Sequence, residues 1–140
     1  MTKTLPPFNG YNEGHPWYYR LGGPIATPKQ IKAEVEAETY RGYLAGDIDA
    51  AAEKSEPQRS DALRALRERV LEDLHRDLKR YRQCAKELRR FRRAGEQDDR
   101  PLTCNIYLAM SLKSSHLTNG FANLKAIDDA LSVQGDLFGF

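Results

Sequence analysis

Apolar side chains recur along the middle of this chain at the spacing of one face of an α-helix. The longest run advances in steps of three and four residues, as a helix of 3.6 residues per turn requires. It consists of Leu63, Leu66, Val70, Leu74, Leu78, Tyr81, Ala85 and Leu88. Ser55 and Gln58 have the spacing of a capping box with Pro57 in the first turn, and Gly95 is a typical stop. The pattern predicts one helix over about residues 56–94, roughly 58 Å long at 1.5 Å per residue.

A shorter helix is predicted before the long one. Thr27 and Gln30 form another capping-box pattern, with Pro28 at the first helical position. Apolar residues then follow at roughly helical spacing: Ile31, Val35, Tyr40, Tyr43 and Leu44. Gly46 is the predicted end of this helix, and a short helical turn is expected over residues 47–52.

Two further helices are predicted in the last third of the chain. The third helix is expected to be capped by Asp99 or Thr103. It contains the apolar residues Ile106, Leu108, Met110 and Leu112. Residues 114–120 then interrupt the apolar pattern. A fourth helix is predicted after them, with Phe121, Leu124, Ile127 and Leu131 on one face.

No stretch alternates apolar and polar residues over the length of a strand, so the predicted fold class is all-α. We expect an irregular helical bundle around the long helix, with an extended N-terminal arm over residues 1–26, a helical domain over 27–133 and a C-terminal tail over 134–140. The long helix is longer than one small globule can cover. Its far end therefore protrudes, pairs with the last two helices or packs in a dimer, and the amount of apolar surface favours a homodimer.

Length and charge exclude several classes of protein. The 140 residues suit one domain, and 22 Lys and Arg against 20 Asp and Glu leave a formal net charge of only +2. That balance excludes a histone-like polycation and an acidic mimic of DNA. No apolar run approaches the ~20 residues of a membrane span, and the first residues lack the apolar core of a signal peptide. With only Cys84 and Cys104 there is no disulfide framework, so we expect reduced thiols and a cytoplasmic protein.

The second half of the long helix is strongly basic. Residues 79–93 contain eight cations and one anion, Glu87. The cations are Lys79, Arg80, Arg82, Lys86, Arg89, Arg90, Arg92 and Arg93. A cluster of this density neutralises phosphates and releases their counterions, which predicts a nucleic-acid-binding surface. The alternative is a solvated helix face, or a face for an acidic partner, in which acids one to three turns upstream pair with some of the cations. Those acids are Glu68, Glu72, Asp73 and Asp77.

Aromatic residues are concentrated in the N-terminal arm. Five of the 13 aromatic residues lie in the first 19 positions, namely Phe8, Tyr11, Trp17, Tyr18 and Tyr19. Each can bury about 150–250 Å², so they are typical of a contact surface and not of a solvated tail. Trp17, Tyr18 and Tyr19 have the composition of a binding hot spot for a partner protein. The alternative is that the arm covers the apolar faces of its own helices.

The C-terminal tail carries a short motif. Its residues Gln134, Gly135, Asp136, Leu137 and Phe138 resemble the Q-x-x-L-F peptide by which many bacterial replication and repair proteins dock on the DNA polymerase sliding clamp. The resemblance implies that Gln134 is a polar anchor and that Leu137 and Phe138 fill a hydrophobic cleft of the clamp. Asp136 matches the Ser or Asp usual before the Leu, whereas Gly135 replaces the common Leu. The alternatives are another partner, or a tail that folds back on its own helices.

Candidate chemistry is sparse. His15, His75, His116 and the two cysteines lack metal-ligand spacing, and a hydroxyl at Ser115 beside His116 is not the arrangement of a catalytic triad. We therefore expect no enzyme, no cofactor and no metal. The expected function is that of a non-enzymatic protein-interaction module, a small bacterial or phage accessory protein that binds a DNA-handling machine. The alternative is a helical nucleic-acid-binding protein that uses the basic end of the long helix.

Overall fold

The computed structural model describes residues 25–38, 40–95 and 101–137, and in these ranges it contains four α-helices and no strand. The helices are α1 (Pro28–Ala37), α2 (Ala45–Ala52), α3 (Gln58–Arg93) and α4 (Pro101–Leu137). In α4, the side chains of residues 101–105, 107, 111 and 133–137 are outside the description. The predicted all-α fold around one long helix is confirmed. No helix in the described ranges is both long enough and apolar enough to cross a membrane.

The start of α1 is the predicted capping box, but its end differs from the prediction. The Thr27 hydroxyl accepts a hydrogen bond from the Gln30 backbone N–H at 3.1 Å, and the Gln30 side chain accepts one from the Thr27 N–H at 2.9 Å. The helix ends at Ala37, not at Gly46, because Glu38 is extended, and the chain then crosses to α4, where the Tyr43 and Leu44 N–H groups bond to Asn side chains. Gly46 instead lies inside α2, which begins two residues before the predicted turn.

The side chain that caps the start of α3 is not the predicted one. The sequence predicted that Ser55 caps this helix, and that prediction is wrong, because the first helical residue is Gln58. The Glu56 carboxylate does the capping: it accepts hydrogen bonds from the Ser60 N–H at 2.9 Å and from the Ser60 hydroxyl at 2.6 Å. The predicted end is confirmed, since Gly95 has a φ of 86°, a left-handed conformation that glycine adopts without strain.

The last third of the described chain is one continuous helix, so the predicted break over residues 114–120 is wrong. Ser114, Ser115 and Thr118 are buried in the middle of α4. A Cβ added at Gly120 would lie 2.6 Å from the Leu74 side chain of α3. Small side chains at these positions let neighbouring helices approach closely, which makes this segment a packing face and not an interruption.

Helices α3 and α4 form an antiparallel pair. Arg59 donates a hydrogen bond to the Ala130 carbonyl at 2.8 Å, Arg67 meets Asp128 at 2.7 Å, and Asp77 meets Lys113 at 3.4 Å. The partner number falls as α3 advances, so the two helices run in opposite directions. The other two helices pack around this pair, α1 against α4 and α2 against both.

The apolar stripe of α3 faces the core along its whole length. The core includes Leu63, Val70, Leu74, Tyr81, Ala85 and Leu88 from α3, with Met110, Leu117, Phe121 and Ile127 from α4. Leu88 near the far end is fully buried, so α3 pairs with the last helix and does not protrude. The uncovered stripe that favoured a homodimer is therefore absent from the described residues.

Candidate nucleic-acid interface

Exposed cations form a ridge on the side of α3 that faces away from the core. The basic ridge consists of Lys79, Arg82, Lys86, Arg89, Arg90 and Arg93, all exposed. Five of them follow one another in steps of three and four residues, and Arg90 lies one turn after Lys86, so all six lie on the face away from Tyr81, Ala85 and Leu88. From Lys79 to Arg93 the ridge extends roughly 21 Å along the axis. Of the other predicted cations, Arg80 is exposed on the flank of the helix and Arg92 is half-buried.

The ridge concentrates cations that form no ion pair. Elsewhere in the described chain, ion pairs at 2.7–3.0 Å join Lys32–Glu36, Arg41–Asp49, Arg67–Asp128 and Lys125–Asp129, and the cations without one are spread over several elements: Lys29, Lys54, Arg64, Arg69 and Arg80. None of the six ridge cations forms an ion pair within the described part of the chain. Two of the four upstream acids are engaged elsewhere, since Asp73 pairs with Arg76 at 3.2 Å and Asp77 lies 3.4 Å from Lys113 of α4. The positive charge of the ridge is thus left for an external partner.

A basic groove runs beside the ridge, between α3 and α4. It encloses about 540 Å³ and takes its positive charge from four side chains, Arg76, Lys79, Arg80 and Lys113. Glu87 is the single acid in its lining, and Cys84 and Ala109 form part of its wall. Burial, and to a lesser degree the Glu87 charge, raises the pKa of the Cys84 thiol against the opposing effect of Lys113 and Arg80. The thiol is therefore protonated at neutral pH and is not an activated nucleophile.

Lys113 is held in the groove wall by a buried carboxylate. Asp77 is only 6% exposed, and its Oδ1 accepts a hydrogen bond from the Lys113 ammonium at 3.4 Å. The Arg76 Nε and the His116 Nδ1 each lie 3.8 Å from the same oxygen. Burial and the Lys113 charge lower the pKa of His116, while Asp77 acts in the opposite direction. His116 is therefore neutral at pH 7, and the charge of this cluster comes from Asp77, Lys113 and Arg76.

Lys113 and Arg76 were not among the residues predicted from the sequence to form the interface. A signal for Lys113 exists: it is the single Lys, Arg, Asp or Glu between residues 101 and 124. A lone cation in an uncharged stretch of helix suggests a specific electrostatic partner. Its placement opposite Asp77 depends on the antiparallel register of α3 and α4, which the local pattern does not show.

The described residues contain no cluster that suggests other chemistry. No three His, Cys, Asp or Glu side chains among them are placed to hold a metal ion. A second cavity of about 310 Å³ lies between α3, α4 and the segment before α2, and both signs of charge line it. Its Asn119 and Asn123 side-chain oxygens are engaged by the backbone N–H groups of Tyr43 and Leu44, at 2.6 and 3.3 Å. These contacts are structural, since they fasten the segment before α2 to α4.

The structure does not place the other predicted binding residues. Trp17, Tyr18 and Tyr19 lie outside the described residues, as does Phe138. The backbone from Gln134 to Leu137, which includes Asp136, belongs to α4, but the side chains there are outside the description. The predicted partner-binding roles of the arm and the tail therefore stay predictions.

Comparison of the chain with known protein families, with curated proteins and with solved structures finds no match. Its function is therefore inferred from the geometry and charge of the described surface.

Proposed function

We propose that this protein acts by binding and that the basic ridge of α3 binds the phosphate backbone of nucleic acid. The observation that carries the proposal is the concentration of six exposed cations on one face of α3, none of them with an ion pair in the described chain. Such a surface suits the role expected from the sequence, that of a cytoplasmic accessory protein of a bacterium or phage that binds a DNA-handling machine.

The length of the ridge suits a phosphate backbone. At one phosphate per 3.4 Å of each strand, a ridge of roughly 21 Å is level with about six base pairs of a duplex. Cations brought to these phosphates release condensed counterions, and that release provides the main driving force of sequence-independent binding.

Stabilisation of the helix itself does not account for the whole ridge. Cations near a helix C-terminus interact favourably with the macrodipole, but the effect falls off within the last turn. Arg90, Arg92 and Arg93 occupy the last turn of α3. Lys79, Arg82 and Lys86 lie further upstream, beyond the reach of that effect.

The chemistry of the ridge favours binding without base recognition. Recognition of base edges uses bidentate contacts from Arg and Lys to guanine and from Asn and Gln to adenine. Of residues 79–93, Gln83 is the single amide side chain. The exposed face is otherwise composed of Lys and Arg, which can reach guanine but which bind phosphates of any sequence through counterion release. We therefore expect similar affinity for duplexes of unrelated sequence.

Removal of the ridge charge tests the proposal. The ridge variant carries Arg82→Gln, Lys86→Gln, Arg89→Gln and Arg93→Gln. The matched control carries Lys32→Gln, Arg41→Gln, Arg67→Gln and Lys125→Gln, which removes the same number of exposed but ion-paired cations. Affinity for a labelled 20-base-pair duplex is measured by fluorescence anisotropy between 50 and 200 mM NaCl. Each lost phosphate contact reduces the slope of log affinity against log salt concentration by about 0.9. With four cations removed, we expect the slope for the ridge variant to be about 3.6 less steep than for the intact protein.

Two results would overturn the proposal. One is an intact protein that does not bind the duplex at 50 mM NaCl. The other is an equal loss of affinity in the ridge variant and in the control, because net charge alone would then explain binding.

Docking of the C-terminal tail on a sliding clamp is a second candidate function, supported by the motif at residues 134–138. The double substitution Leu137→Ala and Phe138→Ala removes the predicted apolar plug, and deletion of residues 134–140 removes the whole tail. Surface plasmon resonance against a purified clamp measures the effect. Both variants should lose binding while duplex affinity is unchanged, and equal binding by the intact and truncated proteins removes this candidate.

A further inference from the structure

The first half of α4 presents an uncovered apolar face. Leu108 and Leu112 are one turn apart and are 51% and 39% exposed, and Ala109 beside them is exposed as well. Residues 101–112 contain no charged side chain, in a chain whose residues are 30% charged. Two large apolar side chains on an uncharged helix face form a surface that gains stability when another segment covers it.

The same face is covered further along the helix. Ser115, Asn119 and Asn123 continue it in steps of three and four residues. There the segment before α2 lies across α4, where its backbone N–H groups at Tyr43 and Leu44 bond to Asn119 and Asn123. The covering segment ends at this point. Towards the start of α4, no other part of the described chain covers Leu108 and Leu112.

The N-terminal arm enters the described structure at the level of this uncovered face. The Tyr81 hydroxyl donates a hydrogen bond to the carbonyl of Ala26, which is buried. Tyr81 lies on α3 between Asp77, which meets Lys113, and Cys84, which shares the basic groove with Ala109. Because α3 and α4 are antiparallel, Tyr81 and the bonded Ala26 are level with residues 109–113 of α4. The preceding chain thus begins within one or two turns of Leu108 and Leu112.

We infer that residues 1–24 of the same molecule cover the apolar face formed by Leu108, Ala109 and Leu112. This segment contains five aromatic residues and only three charged ones, Lys3, Glu13 and Arg20, so its composition matches an uncharged face. Twenty-four residues extend up to roughly 80 Å, whereas residues 101–112 of α4 extend roughly 17 Å. Attachment at Ala26 also gives the arm an effective concentration in the millimolar range, which favours it over a separate partner.

This docking is independent of the proposed nucleic-acid binding. Of the six ridge cations, only Lys79 lines the groove that Ala109 of α4 shares with α3, so an arm on α4 leaves the other five exposed. Loss of arm docking should therefore leave duplex affinity unchanged, and loss of the ridge charge should leave the arm in place.

Trp17 is the single tryptophan of the chain and reports directly on the arm. The test variant carries Leu108→Asp and Leu112→Asp, and the control carries Ser132→Asp, an exposed position of α4 roughly 30 Å from Leu112. The emission maximum of Trp17 and its quenching by acrylamide are measured on the full chain at 1 and 100 µM. Circular dichroism and light scattering accompany both measurements.

We expect Trp17 of the intact protein to be shielded. In the test variant, the emission should move to the red and the quenching constant should at least double, with helicity unchanged. The Ser132→Asp control should match the intact protein. The proposal is overturned if Trp17 is fully quenchable in the intact protein, or if the test variant leaves its emission unchanged. A shift that depends on concentration and accompanies a mass near 32 kDa would assign the face to a second copy and also overturn it.

Discussion

At the scale of single residues, the same amino acid has opposite roles at different positions. Gly46 lies in α2 with open space around it, whereas Gly120 lies in α4 directly against Leu74. The first glycine only lowers helix propensity. The second provides the space in which α3 and α4 come together.

This contrast predicts opposite effects of alanine. Gly46→Ala should stabilise the protein by about 1 kcal/mol, the difference in helix propensity. Gly120→Ala gains the same propensity but places Cβ within 3 Å of two Leu74 atoms, one of them the branching Cγ, so the core must repack. Overpacking costs about 1–3 kcal/mol, and we expect a net loss of about 1 kcal/mol. Urea denaturation measures both variants, and stabilisation by Gly120→Ala would contradict the close approach.

Protonation of His116 should lower the free energy of unfolding. Its pKa is below 6.5 in the folded protein because burial, Lys113 and Arg76 disfavour the imidazolium, against the pull of Asp77. The unfolded chain therefore binds more protons than the folded one as pH falls through 6.5, and the folded state loses stability in that window. Above pH 6.5 the neutral His116 ring makes its full contribution to the free energy of unfolding. His116→Gln should reduce the loss of unfolding free energy measured between pH 7.5 and 5.5.

Asp77 can be tested through the same ring. Asp77→Asn removes the one charge that raises the pKa of His116 and leaves the charges that lower it. We expect an NMR titration of the His116 ring to show a pKa further below 6.5 in this variant than in the intact protein. An unchanged or raised pKa would show that the carboxylate does not act on the ring.

At the scale of the helix, the start of α3 shows why local patterns are ambiguous. Ser55 and Gln58 have the spacing of a capping box, and Glu56 and Ser60 lie one and two residues further along. The structure uses the second pair, with Glu56 accepting two hydrogen bonds from Ser60. The capping-box spacing alone therefore did not identify the side chain that caps α3.

Alanine scanning of this helix start separates the two patterns. Glu56→Ala should cost about 1 kcal/mol of unfolding free energy, since it removes the acceptor for a first-turn N–H. Ser55→Ala, at an exposed residue whose side chain does not cap α3, should change it by less than about 0.5 kcal/mol. Thermal denaturation of the two variants in parallel gives the comparison. A larger effect of Ser55→Ala would restore the cap that the sequence predicted.

At the scale of the whole molecule, a small net charge conceals a strong separation of charge. The formal net charge is +2, yet six like charges without an ion pair in the described chain line one helix face. Neighbouring ridge cations at spacings of three and four residues repel one another by about 0.2–0.5 kcal/mol per pair at low salt. The ridge therefore lowers the free energy of unfolding. A group of like charges that lowers stability in this way is typical of a binding surface.

Salt should relieve this repulsion. Between about 20 and 300 mM NaCl, the Debye length falls from roughly 20 Å to below 8 Å, so we expect the free energy of unfolding of the intact protein to rise by about 1 kcal/mol. The ridge variant should show a smaller rise, because most of its repelling pairs are gone. Urea denaturation at the two salt concentrations provides the values. A rise of the same size in both proteins would locate the repulsion elsewhere.

The all-α class, the Thr27 cap of α1, and the length and end of α3 could be predicted from the local sequence. These features depend on neighbours within one or two turns: an apolar repeat, a capping side chain and a glycine that accepts a positive φ. The continuation of α4 through residues 114–120 and the end of α1 at Ala37 could not, and they became clear from the packing of the helices. Both depend on side chains distant in sequence, Leu74 against Gly120 and Asn119 against Tyr43. The same packing places the buried Asp77 between Arg76 of its own helix and Lys113 of α4, a contact that depends on the antiparallel register of α3 and α4.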